Sequence, residues 1–169
     1  FRELDWRRDL GWTMRPIDVV AGLAAGLIVQ LVVVPALYWP LSSVIDQQEL
    51  EEPARNLIAL ATTPFDVAAL VLMVVVGAPL AEEIVFRGLL FRGIFDMERR
   101  SRFALVLAVV GSSAIFAASH LQLLQFPGLF VIGAVAAMGL HRTGRLGTAI
   151  WIHVGFNATA VFVVLQEIY

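Results

Sequence analysis

Six polar or charged side chains lie inside segments of the sequence that are otherwise almost wholly apolar. They form three groups, which are Glu82, Glu83 and Arg87; His120; and His153 with Asn157. An ionisable group near the centre of a membrane costs about 2.5–3.5 kcal/mol on insertion scales, so such residues usually serve a function. Carboxylates, imidazoles and an amide are the groups with which a hydrolytic site activates water and stabilises an oxyanion.

The spacing in the first group separates its two carboxylates. Glu83 and Arg87 are four residues apart, so on a helix they share one face, where a carboxylate that precedes a cation forms a favourable pair. Glu82 is rotated from Glu83 by about 100° around the helix, so it can face a different cavity. The spacing therefore predicts that Arg87 holds Glu83 while Glu82 is free for chemistry.

The other two groups repeat the four-residue spacing. His153 and Asn157 can present their side chains to one point, and Phe116 stands four residues before His120. Glu82 and His120 lie at nearly equal distances before and after Arg100, so an antiparallel hairpin that turns there would bring them level. His153 is closer to its own turn, so the three groups meet only if the first hairpin extends further on the arginine side.

Two hydrolytic arrangements are open on these residues. In the first, Glu82 is a general base that activates water with His120, while His153 and Asn157 donate hydrogen bonds to the oxyanion. In the second, Glu82, His120 and His153 bind a Zn²⁺ ion that keeps one position open for water. The sequence contains no HExxH motif, which disfavours the second arrangement without excluding it. Zinc is therefore a candidate cofactor, and no cofactor is certain.

The elements that carry these residues are predicted to be transmembrane helices. Hydrophobic residues make up 59% and charged residues 15% of the chain, against about 45–50% and about 25% in soluble domains. Stretches of about 20 apolar residues predict an all-α polytopic bundle, with five spans at about 17–39, 64–97, 103–120, 126–140 and 146–165. The second span is too long for a bilayer, so we expect it to tilt, kink near Gly77-Ala78-Pro79 or project beyond the membrane.

Other features concern packing and topology. Gly22 and Gly26 form a small-xxx-small pattern suited to close helix packing, and the acidic stretch 40–56 is predicted to be a polar connection. Arginines gather before the first span and in two of the turns, namely Arg2, Arg7, Arg8, Arg15, Arg99, Arg100, Arg102, Arg142 and Arg145. They predict an integral membrane protein with the N-terminus and these turns cytoplasmic.

Composition excludes some function classes and leaves others open. The chain has no cysteine and a net charge of −2, so it has no disulfide or thiolate site and no basic stripe for nucleic acid. Residue 1 is Phe rather than Met, so earlier spans can precede it. Homo-oligomers and partner subunits both remain open.

Three motifs resemble those of a known family. The segments "EEIVFRG" (82–88), "FAASH" (116–120) and "HVGFN" (153–157) are similar to the ordered motifs EExxxR, FxxxH and HxxxN of the CPBP intramembrane proteases, the CAAX protease and bacteriocin-processing or ABI family. The resemblance covers about residues 64–165, which it marks as a protease core within a single membrane domain, 1–169. It implies an intramembrane endopeptidase of the glutamate or the metal-dependent type.

The resemblance also assigns roles to residues. Glu82 matches the catalytic glutamate and His120 its partner, while His153 and Asn157 complete the site. Glu83 and Arg87 support it, and we expect Phe116 to shape the pocket. The substrate implied is a membrane-associated peptide or protein, lipid-modified in some members, with membrane lipids as the surroundings.

Competing interpretations make different predictions. A non-catalytic membrane scaffold or a bacteriocin-immunity protein that retains the fold would tolerate Glu82→Ala. A transporter with a proton-coupled carboxylate would line a path across the membrane with charge, whereas these groups cluster in one layer. His153 with Asn157 could also be a packing pair between helices.

Overall fold

A computed structural model describes residues 5–43, 45, 47–97 and 101–168. These residues form seven helices: α1 (Trp6–Asp9), α2 (Pro16–Leu41), α3 (Gln47–Ala59), α4 (Pro64–Met97), α5 (Arg102–Ser119), α6 (Phe126–Thr143) and α7 (Leu146–Ile168). No strand occurs within the described ranges, which confirms the predicted all-α class. Helices α2 and α4 to α7 are long and apolar enough to cross a membrane, and they match the five predicted spans.

Short polar signals in the sequence set where the long helices begin and end. At the start of α4 the Thr63 hydroxyl accepts from the Asp66 amide, and the Asp66 carboxylate accepts from the Thr63 amide, a reciprocal capping box. Ser101 caps α5 by a single hydrogen bond, which its hydroxyl accepts from the Ala104 amide. Gly144 ends α6 with φ of 69°, a left-handed conformation that glycine adopts without strain.

Two spans contain a π-helical segment just before a proline. Val29–Val33 precedes Pro35 in α2, and Met73–Gly77 precedes Pro79 in α4. Proline lacks an N–H and its ring clashes with the carbonyl four residues back, and a widened turn relieves that clash. A π-helical turn thus lies at the place where a kink was one of three alternatives expected for the long second span, and the choice among tilt, kink and projection stays a prediction. A third π-helical segment, Ile84–Phe91, follows the paired glutamates.

Helices α2 and α7 make direct backbone contact. A methyl group added at Gly26 would lie 2.2 Å from the Ile152 carbonyl oxygen, and one added at Gly155 would lie 2.7 Å from the Leu23 carbonyl oxygen. Gly22 is equally close to Trp151. The close packing predicted from Gly22 and Gly26 is confirmed.

A buried carboxylate joins the start of α2 to the turn before α7. Asp18 is only 2% exposed and accepts from Arg145 Nε at 2.7 Å and Nη2 at 2.6 Å. It also accepts from the Thr148 hydroxyl at 2.8 Å and the Arg15 amide at 2.7 Å. The hydrogen bonds with Asp18 raise the pKa of Arg145. We call Asp18, Arg145, Thr148 and the Arg15 amide the Asp18 clamp.

The acidic connection between the first two spans contains a helix that the sequence analysis did not predict. Within α3 the Leu50 carbonyl accepts from Gln125 Nε2 at 2.6 Å, and Arg55 pairs with Glu167. Helix α3 therefore bridges the start of α6 and the end of α7.

The core lies among α2 and α4 to α7, and it combines large apolar side chains with four alanines, which let the helices approach closely. Its buried members are Val29, Phe91, Ala108, Phe116, Ile132, Ala136, Ala137, Leu140, Ala149 and Ile152. The turn between α4 and α5 includes Arg99 and Arg100, which lie outside the described residues, as does Arg2. The predicted level match of Glu82 with His120 therefore stays a prediction.

Candidate active site

Glu83, Arg87 and His153 form a buried triad across α4 and α7. Glu83 and Arg87 are both 0% exposed, and Arg87 Nη1 lies 3.0 Å from Glu83 Oε1, so the predicted ion pair is present. His153 Nδ1 lies 2.9 Å from the same Glu83 oxygen. A carboxylate only accepts, so Nδ1 carries the proton of this hydrogen bond and Nε2 is left facing elsewhere.

The second glutamate lies on the other side of the His153 ring. The Glu82 side chain is 29% exposed, and its Oε2 lies 3.7 Å from His153 Nε2. This distance is too long for a direct hydrogen bond but suits a water molecule in contact with both atoms. The two adjacent carboxylates are therefore separated as predicted, with Glu83 buried and paired and Glu82 accessible.

Phe116 brings the three motifs together. Its buried ring meets Phe86, His120 and His153 edge-on, at centroid distances of 5.3, 4.9 and 5.4 Å. The Arg87 guanidinium carbon lies 4.5 Å from the centre of the same ring, a cation–π distance. The structure thus brings His120 and His153 to one phenyl ring, in agreement with the expectation that Phe116 shapes the site.

His120 is oriented by the end of its own helix. Its Nδ1 lies 2.9 Å from the Phe116 carbonyl oxygen, and because a carbonyl only accepts, Nδ1 donates. In the neutral ring this leaves Nε2 with a free lone pair. The next residue, Leu121, has φ of 56°, a strained value for a non-glycine residue of the kind that clusters at functional sites.

Asn157 holds α7 to the irregular part of α4. Its Nδ2 donates to the Val74 carbonyl oxygen at 2.9 Å. That carbonyl needs an outside donor because the Ala78 amide donates to Met73 instead, and Pro79, the next residue along, has no N–H. One N–H of Asn157 is thus engaged away from His153, and the amide retains a second N–H.

The residues proposed as zinc ligands do not fit a metal centre in this geometry. Among the described residues, no three His, Asp or Glu side chains lie close enough together to hold one metal ion. Glu82 and His153 are neighbours, but His120 does not join them as a third ligand. We therefore derive no step through a metal.

Sequence reasoning missed the contact between Glu83 and His153. It assigned Glu83 to Arg87 alone and grouped His153 with Asn157. The two residues are 70 positions apart, and neither helical spacing nor composition indicates which face of α7 meets α4. Only one indication of this contact is present in the sequence, namely that the apolar segments carrying Glu83 and His153 each contain an ionisable residue.

Comparison with known proteins gives two similarities. A family model described as "Type II CAAX prenyl endopeptidase Rce1-like" matches residues 64–159, a range that includes all three motifs. The "Membrane-embedded CAAX protease MroQ" of Staphylococcus aureus (strain USA300) is 29% identical over 141 residues, which cover 83% of this chain and 54% of the relative. The chain thus spans about half the length of that relative. No solved structure matches the chain.

Proposed function

The chain belongs to the Rce1-like family of type II CAAX prenyl endopeptidases, and we propose that it is an intramembrane endopeptidase with Glu82 as its general base. The observation that carries the proposal is the different surroundings of two adjacent glutamates. Glu83 is buried against Arg87 and His153, while Glu82 is accessible and faces His153 Nε2. A base needs access to water and a neighbour that receives or returns a proton, and Glu82 has both.

The proposed reaction uses one water molecule held between Glu82 Oε2 and His153 Nε2. Glu82 takes a proton from this water as the water oxygen bonds to the scissile carbonyl carbon, and it passes that proton to His153 Nε2. His120 Nε2, fixed by the bond from Nδ1 to Phe116, is a second nitrogen that can receive the proton from Glu82. Such positioned proton transfer typically contributes about 10²–10⁴-fold to the rate.

Breakdown of the intermediate uses the same proton. Once His153 Nε2 carries it, that nitrogen and the second N–H of Asn157 donate hydrogen bonds to the oxyanion. The carbonyl then re-forms, the C–N bond breaks and the proton passes to the leaving nitrogen. The products are a carboxylic acid and an amine, so water is consumed and no other reactant is needed.

The proposal is tested by Glu82→Gln, which keeps the shape of the side chain and removes the base. We expect cleavage of a membrane-tethered peptide to fall by at least about 100-fold, with the melting temperature of the detergent-solubilised protein unchanged. His120→Ala should likewise abolish cleavage and leave the protein inserted. Glu52→Gln, on the exposed surface of α3, is the matched control. Full activity in Glu82→Gln would overturn the proposal.

The substrate and the metal question are addressed with the same assay. A C-terminal CaaX peptide with and without a prenyl group distinguishes a lipid-modified substrate from an unmodified one. Each is tested before and after chelation, with metal content measured on the purified protein. Activity that survives full metal removal excludes the zinc arrangement, and activity restored only by Zn²⁺ excludes the metal-free one.

We further propose that the arginine-rich turns face the cytoplasm of a bacterium, as the distribution of arginines favours. The absence of cysteine from the sequence makes the test simple, because a single introduced cysteine is the only one to react. A membrane-impermeant maleimide should label Ser43→Cys in intact cells and Arg142→Cys only after permeabilisation. The reverse pattern would contradict the proposed orientation.

A further inference from the structure

Arg87 carries more hydrogen-bonding capacity than its surroundings use. The residue is fully buried, and its contact with Glu83 is an ion pair at one terminal nitrogen. Several buried polar atoms here have no hydrogen-bond partner among the described residues, namely the three guanidinium nitrogens, Glu83 Oε2 and the hydroxyl of Ser113. Hydrogen bonds therefore do not fix the far end of the guanidinium, and packing must do so.

The packing surface opposite the ion pair is a glycine of α6. A methyl group added at Gly133 would lie 2.9 Å from Arg87 Nη2, 3.1 Å from Ser113 Cβ and 3.2 Å from Ser113 Cα. The Arg87 guanidinium and Ser113 of α5 thus both border the space that a side chain at position 133 would fill. Phe116, 4.5 Å from the guanidinium carbon, bounds the group as well.

These contacts predict which atoms a larger residue would move. Ser113 Cα belongs to the backbone of a packed helix and cannot shift easily, whereas the guanidinium is the end of a flexible side chain. A Cβ at position 133 would therefore displace Arg87 Nη2 first. The same guanidinium contacts Glu83 Oε1, which also accepts from His153 Nδ1, so the displacement reaches the imidazole on α7.

We propose that Gly133 is a positioning residue of the site, which by its lack of a side chain seats the Arg87 guanidinium and through Glu83 orients His153. Its effect on cleavage rests on the proposed endopeptidase function, but its effect on the His153 ring does not. Helix α6, which supplies none of the motif residues, thereby takes part in setting the geometry of the site.

The test compares Gly133→Ala with Gly139→Ala on the same helix. A methyl group at position 139 would lie 2.7 Å from the end of the Ile152 side chain, so the control creates a similar clash against an apolar group. The full chain is labelled with ¹⁵N-histidine in detergent micelles. Because the sequence has only three histidines, His120→Gln and His141→Gln assign the His153 ring signals.

We expect Gly133→Ala to shift the His153 ring ¹⁵N resonances, and Gly139→Ala to leave them at wild-type values. In the cleavage assay Gly133→Ala should lower kcat by up to about 100-fold, the loss that a misplacement of about 1 Å can produce, with KM little changed. Unshifted His153 signals in a folded Gly133→Ala protein would overturn the proposal. Shifted signals without any detectable cleavage of either peptide would instead count against the proposed function.

A second variant covers the case in which Gly133→Ala does not fold. Arg87→Lys keeps the charge but lacks the second terminal nitrogen that would meet the new methyl group. We expect Gly133→Ala to fold and to have no further effect on His153 in the Arg87→Lys background. Equal damage in both backgrounds would show that the methyl group acts on Ser113 and not through Arg87, which would overturn the proposal.

Discussion

Two buried carboxylates, Asp18 and Glu83, hold helices of this bundle together, and they differ in how many hydrogen bonds their oxygens accept. Asp18 uses both oxygens and accepts four hydrogen bonds, from a two-point contact with Arg145, from Thr148 and from the Arg15 amide. Glu83 carries both of its contacts on Oε1, while its Oε2 has no hydrogen-bond partner among the described residues. The cation differs as well, because the Arg145 side chain is 19% exposed and Arg87 is 0% exposed.

This difference distinguishes a structural contact from a site. In the Asp18 clamp every acceptor position is occupied by a donor that belongs to the fold, so the carboxylate has no capacity left for another group. At Glu83 one of the two partners is an imidazole whose other nitrogen faces the accessible Glu82. Burial of a charge in a membrane protein does not by itself indicate function, and the distribution of its partners is the better guide.

The largest expected effect is that of Glu83→Ala. It leaves Arg87 as an uncompensated buried cation, a change that typically destabilises a protein by about 3–5 kcal/mol, and it removes the acceptor that orients His153. We expect both the melting temperature in detergent and the cleavage rate to fall strongly. Wild-type stability in this variant would show that Glu83 and Arg87 are not coupled in the folded protein.

A double variant separates the two losses caused by Glu83→Ala. Glu83→Met combined with Arg87→Met removes both charges and fills the space, which for buried ion pairs is often neutral or stabilising. We expect the melting temperature to recover and the cleavage rate to remain low. Recovered cleavage would contradict a role for Glu83 in orienting His153.

Asp18→Ala is expected to have an intermediate effect confined to stability. The change removes four hydrogen bonds, but Arg145 can turn to water because its side chain already reaches the surface. We expect the melting temperature to fall by several degrees while cleavage per folded molecule stays at the wild-type rate. Lost cleavage at an unchanged melting temperature would place Asp18 in the reaction and erase the contrast with Glu83.

The smallest effects come from two buried hydroxyls. Thr148→Val removes a donor to Asp18 and should destabilise the protein by about 1 kcal/mol. Ser113→Ala removes a hydroxyl without a partner among the described residues, so its effect on the unfolding free energy should be near zero or stabilising. Denaturant titration in mixed micelles measures both changes, and equal losses would show that the Ser113 hydroxyl is satisfied in the membrane.

Features that depend on local spacing could be predicted from the sequence. The five spans follow from runs of apolar residues, the Glu83–Arg87 pair from the four-residue helical repeat, and the close packing of α2 from Gly22 and Gly26. Each needs only the geometry of one helix. The irregular turn before Pro79 was predictable for the same reason, since proline removes a backbone donor.

Contacts between distant helices could not be predicted in this way. Asp18 and Arg145 are 127 residues apart, and Arg145 was interpreted only as a topological charge. Asn157 was expected to point with His153 to one place, yet it donates to Val74 because Pro79 leaves that carbonyl without a helical donor. Such pairings depend on the rotation and depth of each helix, which the helical repeat of a single segment does not contain.

The spans of this molecule differ in length, so no single bilayer thickness matches all of them. Helix α4 has 34 residues, whereas α5 and α6 have 18 each, or about 27 Å at 1.5 Å per residue. A hydrocarbon layer of about 30 Å is slightly thicker than α5 and α6 are long, a mismatch that thinning of the bilayer or snorkelling of flanking side chains accommodates, while α4 tilts or extends past the layer. The turn between α5 and α6 begins at His120 and exposes 90% of Leu121. If His120 acts as proposed, acyl-chain length sets how much hydrocarbon separates it from the aqueous phase, and the cleavage rate should then depend on lipid composition.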